Sequence, residues 1–431
     1  MITVDQITQM APDNSSATSG KKLSSPNHWQ NLGKTETVIW GECKGSALYK
    51  IRVELTGYTY KCSCPSRKIP CKHILGLLFL SAEKPNSLSQ SEPPEWVTDW
   101  MKKKEAATSK KKSDKTPVKD SAAQQKRIEK REQLIVEGLN QFELWLCDII
   151  RNGLGNSQIQ SPKLWEEQAS RLVDFQIPGL ASRLKKVGSI PGSSNDWTEK
   201  LLYKLGYMYL VVHAYRNINN LSPLLQADLK QIIGWTYSQN EVESSGEKIS
   251  DLWVVVGQTI DDSDKIRMQK TWILGQKTGK SALILQFSMY NQPFQEVFLI
   301  GTLEDSEIVY WPSAYPMRAK FLNRKNQGSF FEGQLLSNET IVSFLNQISD
   351  ALSVCPFIEQ FLCVLKEVKP FIKDNYWYIQ DKNGDILPLK KGEHFKLLAV
   401  SGGHPVDIAG EWDGLSLIPM SVWIDKDFVI L

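Results

Sequence analysis

The sequence predicts a multi-domain α+β chain, and three changes of pattern carry that prediction. Between Glu36 and Cys62, β-branched and aromatic runs are punctuated by Gly41, Gly45 and Gly57, and an apolar helical run up to Leu80 follows. From Ile135 to Trp235, apolar residues recur every third or fourth position, the stripe of amphipathic helices. Beyond Gly246, short apolar runs bounded by Gly, Asn or Asp return, as expected of a mostly antiparallel β-rich domain. At roughly 150 residues per domain, the chain of 431 residues makes about three such units.

Taken in order, residues 1–30 are expected to be a disordered arm, because Ser, Asn, Pro and Lys crowd Ala11 to Asn27. A small ββα module is expected over 31–81. There Tyr49, Ile51, Val53 and Leu55 alternate with polar neighbours as a half-buried strand does, and Thr56-Gly57 supplies a turn. Pro70 stands where a helix can open without losing a hydrogen bond. Residues 82–125 read as a basic Lys-rich linker, with Trp96 and Trp100 as a short hydrophobic foothold and too little apolar surface to offset the entropy of ordering.

The α-helical unit spans 126–245. Ile135, Leu139, Phe142, Leu146 and Ile149 mark a first helix, ended by Gly153 and Gly155. Trp165, Gln168, Leu172 and Phe175 mark a second, running to Pro178-Gly179; Leu201, Leu205, Met208, Val212 and Tyr215 mark a third, and Leu225 to Trp235 a fourth. Short loops between them predict antiparallel packing. In the β-rich unit, 246–431, the runs LWVVVGQTI, KTWILGQK, SALILQFSMY, EVFLIGTL, FKLLAVSGG and SVWIDKDFVIL read as strands, interrupted by a helix over Glu339 to Leu352.

The net charge of +3 argues for no partner by itself, but its distribution is uneven. Lys102 to Lys130 holds eleven Lys and Arg against four Asp and Glu. That tract reads first as a solvated tether, and second as a nucleic-acid contact acting through counterion release. The opening MITVDQITQMAPDNSS has no basic region followed by an apolar run, so no secretory signal is expected. No apolar stretch approaches the ~20 residues of a membrane span, and no membrane partner is expected. Seven cysteines in such a chain point to a reducing, cytoplasmic setting.

Four of the chain's twelve Cys and His residues fall within twelve positions, in the order Cys62, Cys64, Cys71, His73. In a reducing compartment a C-x-C, six residues, then C-x-H is a metal site rather than a disulfide frame. Zinc suits three thiolates and an imidazole, and four such donors close the shell of one structural ion, leaving no position for a catalytic water. A module this small has little core, so metal closure is expected to supply much of its folding energy, on the order of 10 kcal/mol. Lys61, Arg67, Lys68 and Lys72 interleave the ligands. They are candidate contacts to a partner or to phosphates, or else a basic rim that favours the thiolate.

C-x-C…C-x-H followed at once by an apolar helix resembles the SWIM zinc finger. WGECKGSALYKIRVEL, from Trp40 to Leu55, is similar to the lead-in of bacterial SWIM-domain proteins, and CPSRKIPCKHILGLL to their core. The likeness extends less specifically through PEWVTDWMKK at Pro94, the helices after Ile128, and Trp272 to Arg318. The resemblance implies two strands and a helix around zinc, with DNA-binding or protein-binding roles. Bacterial members resemble partners of MoxR-type ATPases and von Willebrand A-domain proteins, which implies an assembly or chaperone role. The expectation is a non-enzymatic interaction protein. The alternatives are a sequence-indifferent DNA or RNA binder, and an enzyme with its site in the C-terminal β domain.

Other motifs carry less. GQKTGKS, Gly275 to Ser281, has three residues between its glycines where a phosphate-binding loop needs four, so a hairpin turn with Gly279 at positive φ is expected and no nucleotide partner. Cys43 reads as a buried thiol, Cys147 as core, and His213 as a hydrogen-bonded core histidine. Cys355, Cys363, His28, His394 and His404 form no recognisable constellation.

Overall fold

The structure, a computed structural model, describes all residues except 1, 46, 56–58, 67, 111–120, 262–265, 290–291, 293, 325–328 and 425–426, with side chains at 9, 103–110, 121–125 and 427 also undescribed. The described residues form twelve α-helices and three β-sheets. Among them no helix is long and apolar enough to cross a membrane.

The N-terminal unit runs α1 (Val4–Met10), α2 (Asn14–Lys21), β1 (Trp29–Lys34), β2 (Val38–Lys44), β3 (Leu48–Glu54), β4 (Thr59–Cys62), α3 (Lys72–Glu83), β5 (Ser89–Gln90) and α4 (Glu95–Lys110). Its sheet has the order β4-β3-β2-β1-β5, antiparallel but for the β1–β5 pair. The alternation in β3 buries Ile51 and Val53, and α3 lays Ile74, Leu75, Leu77 and Leu78 on the same core. The expected ββα module is thus the β3–β4 hairpin and α3 set inside a larger sheet.

The disordered arm expected over residues 1–30 is instead folded. Ile2 and Ile7 are buried, and Gln6 Nε2 donates to the Ile300 carbonyl at 2.9 Å. α2 is polar in composition, yet Ser16, Ala17 and Gly20 are buried. A Cβ added to Gly20 would stand 2.6 Å from Leu75 Cβ, and one at Gly76 2.8 Å from Leu23 Cβ. Small residues on both sides let α2 touch α3, and composition alone does not register that approach.

The linker expected over 82–125 instead carries β5 and, from Glu95 to Lys110, the helix α4. Val97 is fully buried, and Trp96, Trp100 and Met101 pack with it against Val38 and Trp40. The Arg52 guanidinium lies 5.3 Å from the Trp96 ring and 5.8 Å from that of Trp100, a cation–π contact that fastens α4 to the sheet. Most of the lysine tract falls among side chains outside the described residues.

The helical unit comprises α5 (Ser121–Arg151), α6 (Pro162–Asp174), α7 (Pro178–Val187), α8 (Trp197–Arg216), α9 (Pro223–Ile233) and α10 (Gln239–Ser245). The α5 and α8 stripes named above are buried in one core. Pro178-Gly179 reads as a stop but opens α7, since proline loses nothing at a first helical position. Gly179 lets α7 meet α9: a Cβ there would stand 2.0 Å from the Ile232 carbonyl oxygen. His213 is hydrogen-bonded but not core; its half-exposed ring meets Glu143 Oε1 at 2.8 Å. Cys147 is only partly buried.

The C-terminal unit begins with β6 (Lys248–Asp261), β7 (Ile266–Gly275), β8 (Ser281–Met289), β9 (Thr302–Tyr310), β10 (Arg318–Arg324) and β11 (Ser329–Phe330). Because β10 pairs with both β8 and β9, β6 to β10 close into a small barrel around Trp253, Ile273, Ile284 and Tyr310. Then follow α11 (Ile341–Val354), β12 (Phe361–Lys373), β13 (Tyr376–Gln380), β14 (Ile386–Pro388), α12 (Phe395–Ser401), β15 (Val406–Trp412), β16 (Leu417–Ile424) and β17 (Asp427–Ile430). The second sheet, β14-β13-β12-β15-β16-β17, packs Leu362, Val364 and Met420 against Val254 and Trp272 on the barrel's outer face. Residues of α11 pack into the core on its other side.

Two strand expectations are corrected. FKLLAVSGG is α12, closed by Gly402 in the left-handed conformation at φ 57°. EVFLIGTL is a loop leading into β9. It alternates because Phe298 and Ile300 enter the barrel core while Val297 and Leu299 enter that of the N-terminal unit. Alternation here reports two cores, not a strand. GQKTGKS is the expected hairpin turn, with Gly279 at φ 67°. The Asp251 carboxylate accepts from the Lys277 and Thr278 amides and from Thr278 Oγ1, which pins the turn.

Candidate metal centre

Four elements of local structure bring the ligands together. β4 pairs with β3 so that Cys62 stands opposite Ile51. Ser63 extends the ladder by donating its amide to the Lys50 carbonyl at 3.1 Å. The chain then turns, and the Cys64 amide donates to Cys62 Sγ at 3.4 Å. Cys71 is the N-cap of α3, with φ −75° and ψ 166°, and its carbonyl accepts from Leu75. Pro70 therefore precedes the cap rather than opening the helix, and His73 lies in the first turn. The Tyr49 ring, 4.8 Å from that of His73, flanks the imidazole.

The donor atoms of Cys62, Cys64, Cys71 and His73 all lie within 4.8 Å of one another. His73 Nδ1 is 3.9 Å from Cys62 Sγ and 4.0 Å from Cys71 Sγ. A tetrahedral zinc with metal–sulfur bonds of about 2.3 Å spaces its donors about 3.5–3.8 Å apart, so the His73 contacts are near that spacing and the widest pair would close by about 1 Å. Cys71 and His73 are buried, Cys62 and Cys64 half-buried.

The protons of these groups compete. A hydrogen bond from Cys62, joined by bonds from His73 and the Ile74 amide, pulls the Cys71 thiol well below the ordinary thiol range despite its burial. The same bond to Cys71, then burial and the neighbouring thiolate, drives Cys62 far above the ordinary thiol range. Burial pushes Cys64 up as well. Holding three thiolates within this radius calls for a divalent cation, and mixed N/S donors suit zinc. Cys43 is buried and does not join the four; desolvation raises its thiol to about 11.

Lys61, Lys68 and Lys72 are exposed, while Arg67 lies outside the described residues. Lys68 Nζ meets Asp13 Oδ2 of the α2 N-cap at 2.8 Å. Beside the ligands opens a cavity of about 430 Å³, bordered by Cys64 and His73 and by Ser15, Ser19, Lys68 and Lys72. Nothing in the spacing of the motif points to Ser15 or Ser19, because α2 reaches the site only through its packing on α3.

Residues 51–81 match the family model of the SWIM zinc finger, and residues 130–233 that of the SWIM-associated four-helix bundle domain. The first match contains all four ligands, and the second runs from α5 to the end of α9. No curated protein and no solved structure matches the chain. Residues 51–81 thus carry a SWIM zinc finger, with Cys62, Cys64, Cys71 and His73 as its C-x-C…C-x-H donors, and residues 130–233 carry the bundle associated with it.

Proposed function

We propose that the protein is a non-enzymatic, cytoplasmic interaction protein, in which one structural zinc ion fixes a docking surface for a protein partner. The observation that carries this reading is the closed donor set: four strong ligands within 4.8 Å leave no coordination position for a reacting water. The ion would be held by Cys62, Cys64, Cys71 and His73, and it supplies rigidity between the end of β4 and the start of α3. The resemblance to bacterial SWIM proteins points to a MoxR-type ATPase or a von Willebrand A-domain protein as partner. The nucleic-acid alternative leans on the lysine tract, most of whose side chains are outside the described residues. The alternative of an enzyme sited in the C-terminal β unit has no metal-donor cluster in that unit among the described residues.

The test is parallel affinity purification from the native cell with wild-type protein and Cys71→Ser. Partner chains recovered with the wild type and lost with the variant, while the bundle stays folded, support the reading. Recovery of the same chains with both would overturn it.

A further inference from the structure

We propose that the cavity beside the metal centre receives an acidic segment of a protein partner, whose carboxylates meet Lys72 and Lys68. This rests on the interaction reading above and adds the chemistry of what is bound. The cavity is assembled from stretches distant in sequence: Ser15 and Ser19 of α2, Tyr49 of β3, the loop after Cys64, and the first turn of α3. It is lined by hydroxyls and two ammonium groups, and no carboxylate lines it among the described residues. Hydroxyls and ammoniums both donate, so the wall offers many donors to an anion.

Lys72 forms no ion pair among the described residues, and it is exposed. Among the described residues Lys68 pairs only with Asp13, and both side chains are well exposed, at 60% and 38%. Such solvated pairs contribute little, so an incoming carboxylate can exchange for Asp13. Lys72 lies between Cys71 and His73, and Lys68 lies in the loop that joins Cys64 to Cys71. Ligation at both ends of that loop would fix the backbone that carries the two lysines before any partner arrives, which lowers the ordering cost of binding.

The charge balance favours a short acidic peptide over a nucleic-acid backbone. Residues 1–101, which supply the whole lining of the cavity, hold eleven Lys and Arg against nine Asp and Glu, and the basic tract that follows contributes nothing to that lining among the described residues. Lys50 and Arg52 lie over the Trp96 ring, outside the cavity. What remains is a concave pair of cations, which matches a local cluster of carboxylates.

Fluorescein-labelled hexaglutamate, titrated into full-length zinc-loaded protein at low ionic strength and followed by anisotropy, tests this. Saturable binding is expected, weakened about fivefold or more by Lys72→Gln and further by the Lys68→Gln, Lys72→Gln double variant. Lys84→Gln, at the other end of α3, should leave it unchanged, and unlabelled single-stranded oligothymidylate should not displace the peptide. Absence of saturable binding, equal weakening by Lys84→Gln, or ready displacement by the oligonucleotide would overturn the proposal. Zinc content is measured on the same samples. Protein that keeps its zinc and its zinc-dependent partners yet ignores hexaglutamate removes the acidic-segment assignment alone, whereas loss of zinc dependence in partner capture removes the docking reading itself.

Discussion

The N-terminal unit and the helical bundle hold their parts together by different means. In the bundle, stripes from five helices interlock: Phe142 and Leu146 of α5, Trp165 of α6, Leu184 of α7, Leu205 of α8 and Ile233 of α9 share one apolar core. In the N-terminal unit the sheet and α3 have such a core too, with Ile51, Val53, Leu75 and Leu78 inside it. The stretch from Ser63 to Lys68 does not, for its described residues are exposed except half-buried Cys64. Apolar burial cannot hold that stretch; ligands at its two ends can. The expectation that metal supplies much of the module's folding energy therefore bears on the loop first, because the sheet and α3 have an apolar core of their own. What the ion fixes is a loop, and the sheet behind it is held by side chains.

That contrast can be broken most sharply by removing the metal. Chelation, or Cys71→Ser, gives up metal-binding free energy on the order of 10 kcal/mol. Hydrogen exchange should then rise across residues 61–73, and proteolysis should begin near Tyr60, while β2, β3 and the bundle stay protected. Simultaneous loss of protection in the whole sheet would erase the distinction drawn here. The converse experiment is Leu184→Ala in the bundle, where the side chain is fully buried. It should cost about 2–5 kcal/mol in a urea titration of the bundle and leave zinc content untouched.

A third variant asks whether the N-terminal helices belong to the finger. Gly76→Ala places a methyl 2.8 Å from Leu23 Cβ, so α2 and the turn after it must shift. A destabilisation of about 1–3 kcal/mol confined to the N-terminal unit is expected, readable as earlier exchange in α2 and α3. The smallest effect concerns Asp13, whose carboxyl is held down to about 2 by Lys68 and the Ser16 amide and hydroxyl. Because its folded value is depressed, its contribution is complete above the ordinary carboxylate range near 3.9 and is lost as pH falls through about 2. Exchange at the start of α2 should speed up over that window, and Asp13→Asn should remove the dependence.

The finger and the helices were legible for the same reason: each is specified by spacing. Cys62, Cys64, Cys71 and His73 need only a strand end, a loop and a helix start, all local events. The α5 stripe from Ile135 to Ile149 needs only the helical period. The misreadings have a common cause as well. α2 looks disordered because Ser, Asn and Gly dominate it, but its small residues are the contact surface against Gly76 and Leu75. Trp96 and Trp100 read as a foothold without saying that Arg52 is what they stand on. Val297 to Ile300 alternate like a strand because they serve two cores at once.

By itself, then, the sequence determined the donor set, the helical stripes and the mixed architecture, since these follow from ligand chemistry and from periods of two and 3.6 residues. Only the tertiary structure decided that the first thirty residues fold onto the finger, that a barrel loop completes the finger's core, and that Ser15 and Ser19 come to face Lys68 and Lys72. Those outcomes turn on close approach between segments far apart in the chain, and a side chain's fit against a distant neighbour leaves no periodic trace.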